Sequence, residues 1–383
     1  MKNVFCFLFL TVFFISCSSN KEMKVIVKNS GSFGRSKELV EIPIEKIKEK
    51  INLDNEQVFV VKNAQGEIVP SQITYDGKLI FQLVKNDSYS EFFISAGIAE
   101  GFENLTYGRF IVERKDDFAW ENDRVAFRIY GHALIATDGP SNGIDIWYKR
   151  TNELIIDKWY KNDVEGIASY HQDHGEGLDD YNVRRTLGAG GMAPFANDTL
   201  WLNENFINHE VLENGPLRTT VKFIYKDIDL DGVTMTEIRT ISLDAGSQLS
   251  KITQEYGTSN PVKVATGIPL REENPQIVSS LDKGYIIYTE PNRNGEVFVS
   301  MVFPEGIDSI EKNSYTYYNP IRQNKPEIHT HILGITTYQP NNPVTYYTGY
   351  GWTRFGFETV VDFQEYIENF CERFKQPLIV EYK

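Results

Sequence analysis

The chemistry-bearing residues of this chain are concentrated between positions 170 and 191. The stretch runs Tyr170-His171-Gln172-Asp173-His174-Gly175-Glu176-Gly177-Leu178-Asp179-Asp180-Tyr181, followed by Arg184-Arg185 and Gly188-Ala189-Gly190-Gly191. Two of the six histidines fall within four residues, beside four carboxylates, two tyrosines and two arginines. Glycines on either side allow unusual backbone angles and the close approach of a ligand. The first reading is acid–base work on an acidic sugar. Arg184 or Arg185 would grip a uronate carboxylate, for which a guanidinium fork is the best match. Neutralising that carboxylate acidifies the adjacent C–H. His171, His174 or Tyr181 could then take the proton, or give one to the leaving oxygen, completing a β-elimination. A hydrolase would instead draw a carboxylate pair from Asp173, Glu176 and Asp179, whose separation sets the stereochemical outcome. The second reading is a metal held by His171, His174 and a carboxylate. No helical register places the two imidazoles on one face and no zinc motif is matched, so no cofactor is assigned. The third reading is structural, a loop tied down by its own hydrogen bonds and ion pairs.

Three further patches could join such a site. Arg128, Tyr130 and His132 alternate, which gives one strand a polar-aromatic face suited to a cleft wall. Residues 346–354 are dense in aromatics with glycine breaks, and Tyr350, Trp352 and Arg354 read either as a sugar platform or as core beside a bulge. His329 and His331 alternate on another strand and share a face. Asp227-Ile228-Asp229-Leu230-Asp231-Gly232 copies the start of an EF-hand loop, but Ile238 stands where the closing glutamate belongs. An acidic hairpin turn is the better reading.

Strands must position these groups. Short apolar runs broken by Asn, Asp and Gly, such as 57–61, 68–73 and 78–84, have the pattern of a β-sandwich. They place a small β-domain at 23–112. Beyond it, 125–130, 143–148, 219–243, 249–256, 284–289 and 297–303 predict a larger β-domain over 113–383. A fixed repeat is absent, which argues against a propeller or solenoid. One helix stands out: Phe363, Tyr366, Ile367, Phe370 and Phe374 recur at helical spacing. Asp362 with Glu365 reads as its capping box, Val361 with Tyr366 as its staple, and Pro377 as its stop.

The opening residues carry an address. Lys2 precedes an apolar run from Val4 to Ile15, the layout of a secretory signal. The run is too short to cross a bilayer, which takes about 20 apolar residues. It ends at Ser16-Cys17, which resembles the lipobox of bacterial lipoproteins. That resemblance implies a leader over 1–16, lipidation of Cys17, a linker over 17–22, and a membrane partner reached through the anchor alone. The expected location is the outer membrane of the cell envelope, on either face. Cys6 and Cys17 belong to this segment, so Cys371 has no partner for a disulfide. The net charge of −14 argues against nucleic acid as a partner, because its phosphates repel an acidic chain. It leaves acidic sugars open, because local arginines can outweigh the overall field. The 21 tyrosines and 24 phenylalanines suit both strands and sugar sites.

Residues 122–131, 143–147, 171–179, 188–191 and 242–247 together resemble a bacterial lipoprotein family, domain-of-unknown-function family 4861. The resemblance covers nearly all of the chain after the leader, most specifically at 170–191. It implies a polysaccharide-degradation setting and a fold similar to the galactose-mutarotase supersandwich, which hosts lyases and hydrolases. The expectation is therefore a carbohydrate-active lipoprotein that cleaves uronate-containing oligosaccharides by elimination or hydrolysis. A glycan-binding lipoprotein and a mutarotase-like isomerase are the alternatives.

Overall fold

The computed structural model describes residues 22–35, 37–83, 88–319, 321 and 325–383. The leader and Cys17 lie outside them. The chain is mostly strand, as expected, in two sandwiches.

The smaller sandwich packs a five-stranded sheet on a three-stranded one. The first is ordered Ile379–Tyr382, Glu22–Lys28, Tyr89–Gly97, Val58–Asn63, Ile68–Val69; the second is Leu39–Pro43, Lys78–Gln82, Ser71–Ile73. Alternation buries Met23, Val25 and Val27 against Val40, Ile42, Phe81 and Ile94. Its outline differs from the sequence reading at both ends. The C-terminal strand pairs with Glu22–Lys28, so residues almost the whole chain apart close one sheet. At the other boundary, Thr106–Ile111 pairs with Asp117–Asn122 and belongs to the larger body.

That body sets one nine-stranded sheet against two five-stranded ones. The large sheet runs Asn208–Asn214, Arg218–Ile224, Val233–Asp244, Leu249–Gly257, Val344–Trp352, Val297–Val302, Tyr285–Glu290, Ile277–Ser280, with Ile228–Leu230 added beside Val233–Asp244. One five-stranded sheet is Gly177–Leu178, Asp145–Lys149, Ala126–Ile129, Asp117–Asn122, Thr106–Ile111. The other is Thr199–Leu200, Gly191–Ala196, Val262–Leu270, Pro326–Tyr338, Ser309–Tyr318. A parallel bridge between Ile144 and Gly188 joins these two. Phe127 and Ile146, Ile241 and Ile252, and Val264 and Ile332 bring all three sheets into one core. Between Ile228–Leu230 and Val233–Asp244, Asp231 and Gly232 both take positive φ (51° and 85°), the geometry of a tight hairpin turn.

The helix Val360–Lys375 lies against the outer face of the large sheet, packing Phe363, Ile367 and Phe370 on Tyr285, Ile287 and Phe298. Its start corrects the expected box: Thr359 caps it, accepting from the Asp362 N–H while Asp362 reaches back to the Thr359 N–H at 2.9 Å. Val361 is exposed and staples nothing. A helix not anticipated, Ile156–Val164, buries Trp159 and Tyr160 under Trp147. Cys371 is a buried free thiol.

Candidate active site

The site grows from a cross-strand pair. Arg128 and Asp145 stand opposite each other in the ladder between Ala126–Ile129 and Asp145–Lys149. On the far side of Asp145–Lys149, the short strand Gly177–Leu178 delivers Asp179 to the same place. Arg128 donates from Nε to Asp145 Oδ2 at 2.8 Å and from Nη2 to Asp179 Oδ2 at 2.7 Å. The Tyr130 hydroxyl donates to Asp145 Oδ2 at 3.1 Å. Aromatic rings enclose the guanidinium, with Tyr130 4.9 Å, Trp147 5.1 Å and Tyr170 5.8 Å from it. All three members of the Arg128–Asp145–Asp179 group are buried.

Asp117, at the head of the next strand, is buried beside them. One of its oxygens accepts from the Gly131 N–H and the other has no partner. Burial raises its carboxyl to about 6 against the pull of Arg128 and Arg114. Burial likewise raises Asp145, to about 7, with Arg128 opposing and Asp179 reinforcing. Three carboxylates thus share two guanidiniums, and the excess is relieved by holding a proton near neutral pH. Burial also keeps Tyr130 protonated, since its hydroxyl is raised well above the usual range.

In front of Tyr130 lies a cleft of about 200 Å³ whose walls include Arg114, Asp138, Asn182, Arg184 and Glu327. Arg114 donates from Nε to the Tyr170 hydroxyl at 3.2 Å and keeps one buried guanidinium nitrogen, Nη1, without a partner. Arg184 is exposed, in the left-handed region (φ 52°), and its carbonyl is fixed by the Ser141 hydroxyl at 2.6 Å. Asp138 is paired with Lys115 at 2.9 Å. Glu327 has His329 as its neighbour at 3.4 Å, and burial lowers that imidazole toward its neutral form.

The residues singled out by sequence disperse around this centre. Asp179 is in it, bound to Arg128. His171 borders it: its Nδ1 lies 3.0 Å from the Asp179 carbonyl while its ring remains exposed. His174 turns elsewhere, toward the Ser169 carbonyl at 3.1 Å, in a hollow of about 80 Å³ with Trp159 and Glu176. The two imidazoles therefore address different carbonyls. Among the described residues no group of three or more His, Cys, Asp or Glu gathers to hold a metal. Glu176 is bonded to Lys158 at 2.7 Å and to the Trp159 indole at 3.3 Å. Tyr181 is buried apart from the histidines, under the Arg271 guanidinium.

Several substrate-binding assignments are corrected. Arg128 is committed to two buried carboxylates, and its remaining nitrogen, Nη1, is itself buried. Arg185 spends its guanidinium on the Asn203 and Leu202 carbonyls, both at 2.6 Å. His132 is off the strand, which ends at Ile129, and stands exposed in a short 3-10 turn. Tyr350 and Trp352 are core: the Tyr350 hydroxyl donates to the Trp147 carbonyl, and the Trp352 indole donates to that of Asn294 at 3.1 Å. Neither presents a ring face to solvent, so there is no platform. Arg354 is exposed over the Trp352 ring, 3.6 Å from Asp173. Tyr130, Arg184 and Arg185 do line the cleft, Arg185 with its guanidinium held by the two backbone carbonyls.

Asp145, Asp117 and Arg114 escaped sequence reasoning. A charged residue amid an otherwise apolar strand was the available signal for Asp145, within Gly143-Ile144-Asp145-Ile146-Trp147.

Fold and site together define a two-sandwich β-protein with a buried arginine–carboxylate centre behind an arginine-walled cleft. The chain belongs to the family described as Domain of unknown function (DUF4861), whose model matches residues 27–380. It is 29% identical over 403 residues to Uncharacterized protein P7 of Formosa agariphila, across 99% of each chain. Among solved structures it is similar to a protein in the Glycosyl Hydrolase Family 38 from Enterococcus faecalis, with TM-score 0.48 and 9% identity over 94% of this chain and 47% of that one. It is also similar to the heparan sulfate lyase HepC from Pedobacter heparinus, with TM-score 0.34 and 8% identity over 67% and 37%. The chain spans about half or less of the length of these solved proteins.

Proposed function

We propose that the protein is a carbohydrate-active enzyme that cleaves uronate-containing oligosaccharides by β-elimination, working from a lipid anchor at Cys17 in the outer membrane. The observation that carries the reading is Tyr130. A protonated hydroxyl, backed by Asp145 at 3.1 Å, stands at the base of a cleft walled by Arg114 and Arg184. The arginines neutralise the substrate carboxylate and so acidify the C–H next to it. Glu327, the cleft carboxylate with no Lys or Arg paired to it among the described residues, takes that proton. The electron pair forms the carbon–carbon double bond, the glycosidic C–O bond breaks, and Tyr130 gives its proton to the leaving oxygen. Arg128 Nη2, 3.3 Å from the Tyr130 oxygen, balances the charge left there until Glu327 releases its proton to water and Tyr130 regains one. No cofactor enters these steps.

One observation favours hydrolysis as the second reading: the cleft carries two carboxylates, Asp138 and Glu327. Asp145 and Asp179 are unsuited to that role, because both are buried on one guanidinium and cannot flank a glycosidic bond.

The test is incubation with a panel of uronate-containing oligosaccharides, reading ultraviolet absorbance and product mass together. A new absorbance with no mass gain supports elimination. Gain of one water per cleavage supports hydrolysis and moves the roles to Asp138 and Glu327. Binding without conversion reduces the protein to a glycan-binding module.

A further inference from the structure

Behind the cleft lies a second buried polar cluster that the steps above leave unused. The segment after Leu178 connects the two. Asp179 goes to Arg128, and Asp180 accepts from Asn292 and Asn294 at 3.2 and 2.9 Å. The Tyr181 ring lies 5.6 Å from the Arg271 guanidinium, and the Asn182 carbonyl accepts from the same guanidinium. Arg271 follows the strand Val262–Leu270, and its Nε is 3.4 Å from Glu290 at the end of Tyr285–Glu290.

Around Arg271, three side-chain atoms are buried without hydrogen-bond partners among the described residues, the Tyr181 hydroxyl, Glu290 Oε2 and His331 Nδ1, and His329 Nε2 stands 3.4 Å from Glu327 Oε2. His331 Nε2 accepts from the Leu187 N–H at 3.3 Å, so its proton sits on Nδ1, the unpartnered atom. Tyr181, Glu290, His329 and His331 are each more than nine-tenths buried. Folded proteins leave few buried polar atoms unsatisfied, and each costs about 1–3 kcal/mol. Several around one guanidinium mark a place that a polar guest completes. The cluster adjoins the cleft, since Asn182 and Glu327 line the cleft while bonding or neighbouring Arg271 and His329.

We propose that Tyr181, Arg271, Glu290 and His329 form an inner subsite of the cleft, taking a neutral, hydroxyl-rich sugar residue joined to the uronate held by Arg114 and Arg184. This rests on the reading of the cleft as a uronate site. The guest is neutral because Arg271 and Glu290 already balance one another and the carboxyl would repel an anion. It is hydroxylated because the free atoms mix donors and acceptors, as vicinal ring hydroxyls require.

Calorimetric titration with uronate monosaccharides, and with their disaccharides to neutral sugars, tests the subsite. Disaccharides should bind the wild type more tightly. Tyr181→Phe and Glu290→Gln should each weaken disaccharide binding about tenfold, the worth of one good hydrogen bond, and leave monosaccharide binding unchanged. Arg184→Ala should weaken both. Tyr181→Phe removes one oxygen and serves if Glu290→Gln does not fold. Unchanged disaccharide affinity in the folded variants overturns the subsite and leaves the cleft reading standing. Disaccharides that bind the wild type no more tightly than monosaccharides overturn the subsite alone, and failure of both sugar classes to bind overturns both readings.

Discussion

Asp145 accepts from Tyr130 at 3.1 Å while it is bound to Arg128, so one buried carboxyl joins a cleft hydroxyl to a fixed positive charge. That relationship fixes the Tyr130 hydroxyl at the cleft, and Arg128 Nη2, 3.3 Å from the same oxygen, faces the charge left when Tyr130 gives up its proton. Tyr130→Phe should therefore lower turnover roughly a hundred- to ten-thousand-fold, the usual reach of a positioned acid. Affinity and melting temperature should stay close to wild type. Steady-state rates alongside binding and thermal scans separate these, and a variant with undiminished turnover would remove Tyr130 from the mechanism.

Arg128 has a different role, and its loss should be read in stability. Arg128→Met leaves Asp145 and Asp179 buried without their counter-charge, which should cost about 3–5 kcal/mol. Denaturant unfolding measures this. A change below about 1 kcal/mol would mean that the carboxylates are solvated or protonated independently of Arg128.

The pH dependence of stability carries an unusual sign. Asp145 and Glu290 are raised from 3.8 and 4.5 to about 7, so the native state holds protons that the unfolded chain has released. Each such group makes stability fall as pH rises toward and through its folded value, by up to about 1.4 kcal/mol per pH unit. His331 acts oppositely. Lowered from 6.5 to about 3, it costs stability as pH falls below 6.5. Between about pH 4.5 and 6.5 two raised carboxyls outweigh one lowered imidazole, so these groups make stability greatest at roughly pH 4 and falling from there to about pH 8. Glu290→Gln should flatten the alkaline side. A melting temperature that climbs from neutral pH to about pH 8 contradicts these assignments.

Gly177 tests the strand that delivers Asp179. Its φ is 117°, and a Cβ there would stand 1.8 Å from the Tyr148 carbonyl oxygen. Gly177→Ala should destabilise the protein by about 2–4 kcal/mol, from backbone strain and clash together. Gly175 also has positive φ, but open space surrounds its missing Cβ, so Gly175→Ala should cost less. Equal melting temperatures for the two variants would show that the strand tolerates displacement.

The periodicities of the sequence made the β-architecture and the C-terminal helix legible, because alternating and helical burial leave a direct trace in residue type. Pairing partners far apart in sequence left none: no local pattern in Ile379–Tyr382 announces that it closes the first sheet against Glu22–Lys28. The site was legible in part. The loop at 170–191 signalled Asp179 through its density of polar groups. The same signal overvalued His174 and Glu176, which bond locally. Platform and core stayed open for Tyr350 and Trp352 because aromatic density alone does not tell a core strand from an exposed one. Asp145 and Arg114 were illegible because their meaning comes from what the fold sets beside them: a cross-strand arginine in one case, a cleft in the other.

Elimination at the Tyr130 cleft is tested most directly by following uronate-containing oligosaccharides with wild type and Tyr130→Phe side by side, in absorbance and mass. Elimination by Tyr130 predicts an ultraviolet-absorbing product with no added water from the wild type and almost none from the variant. Products that gain water, or equal conversion by both proteins, would contradict it.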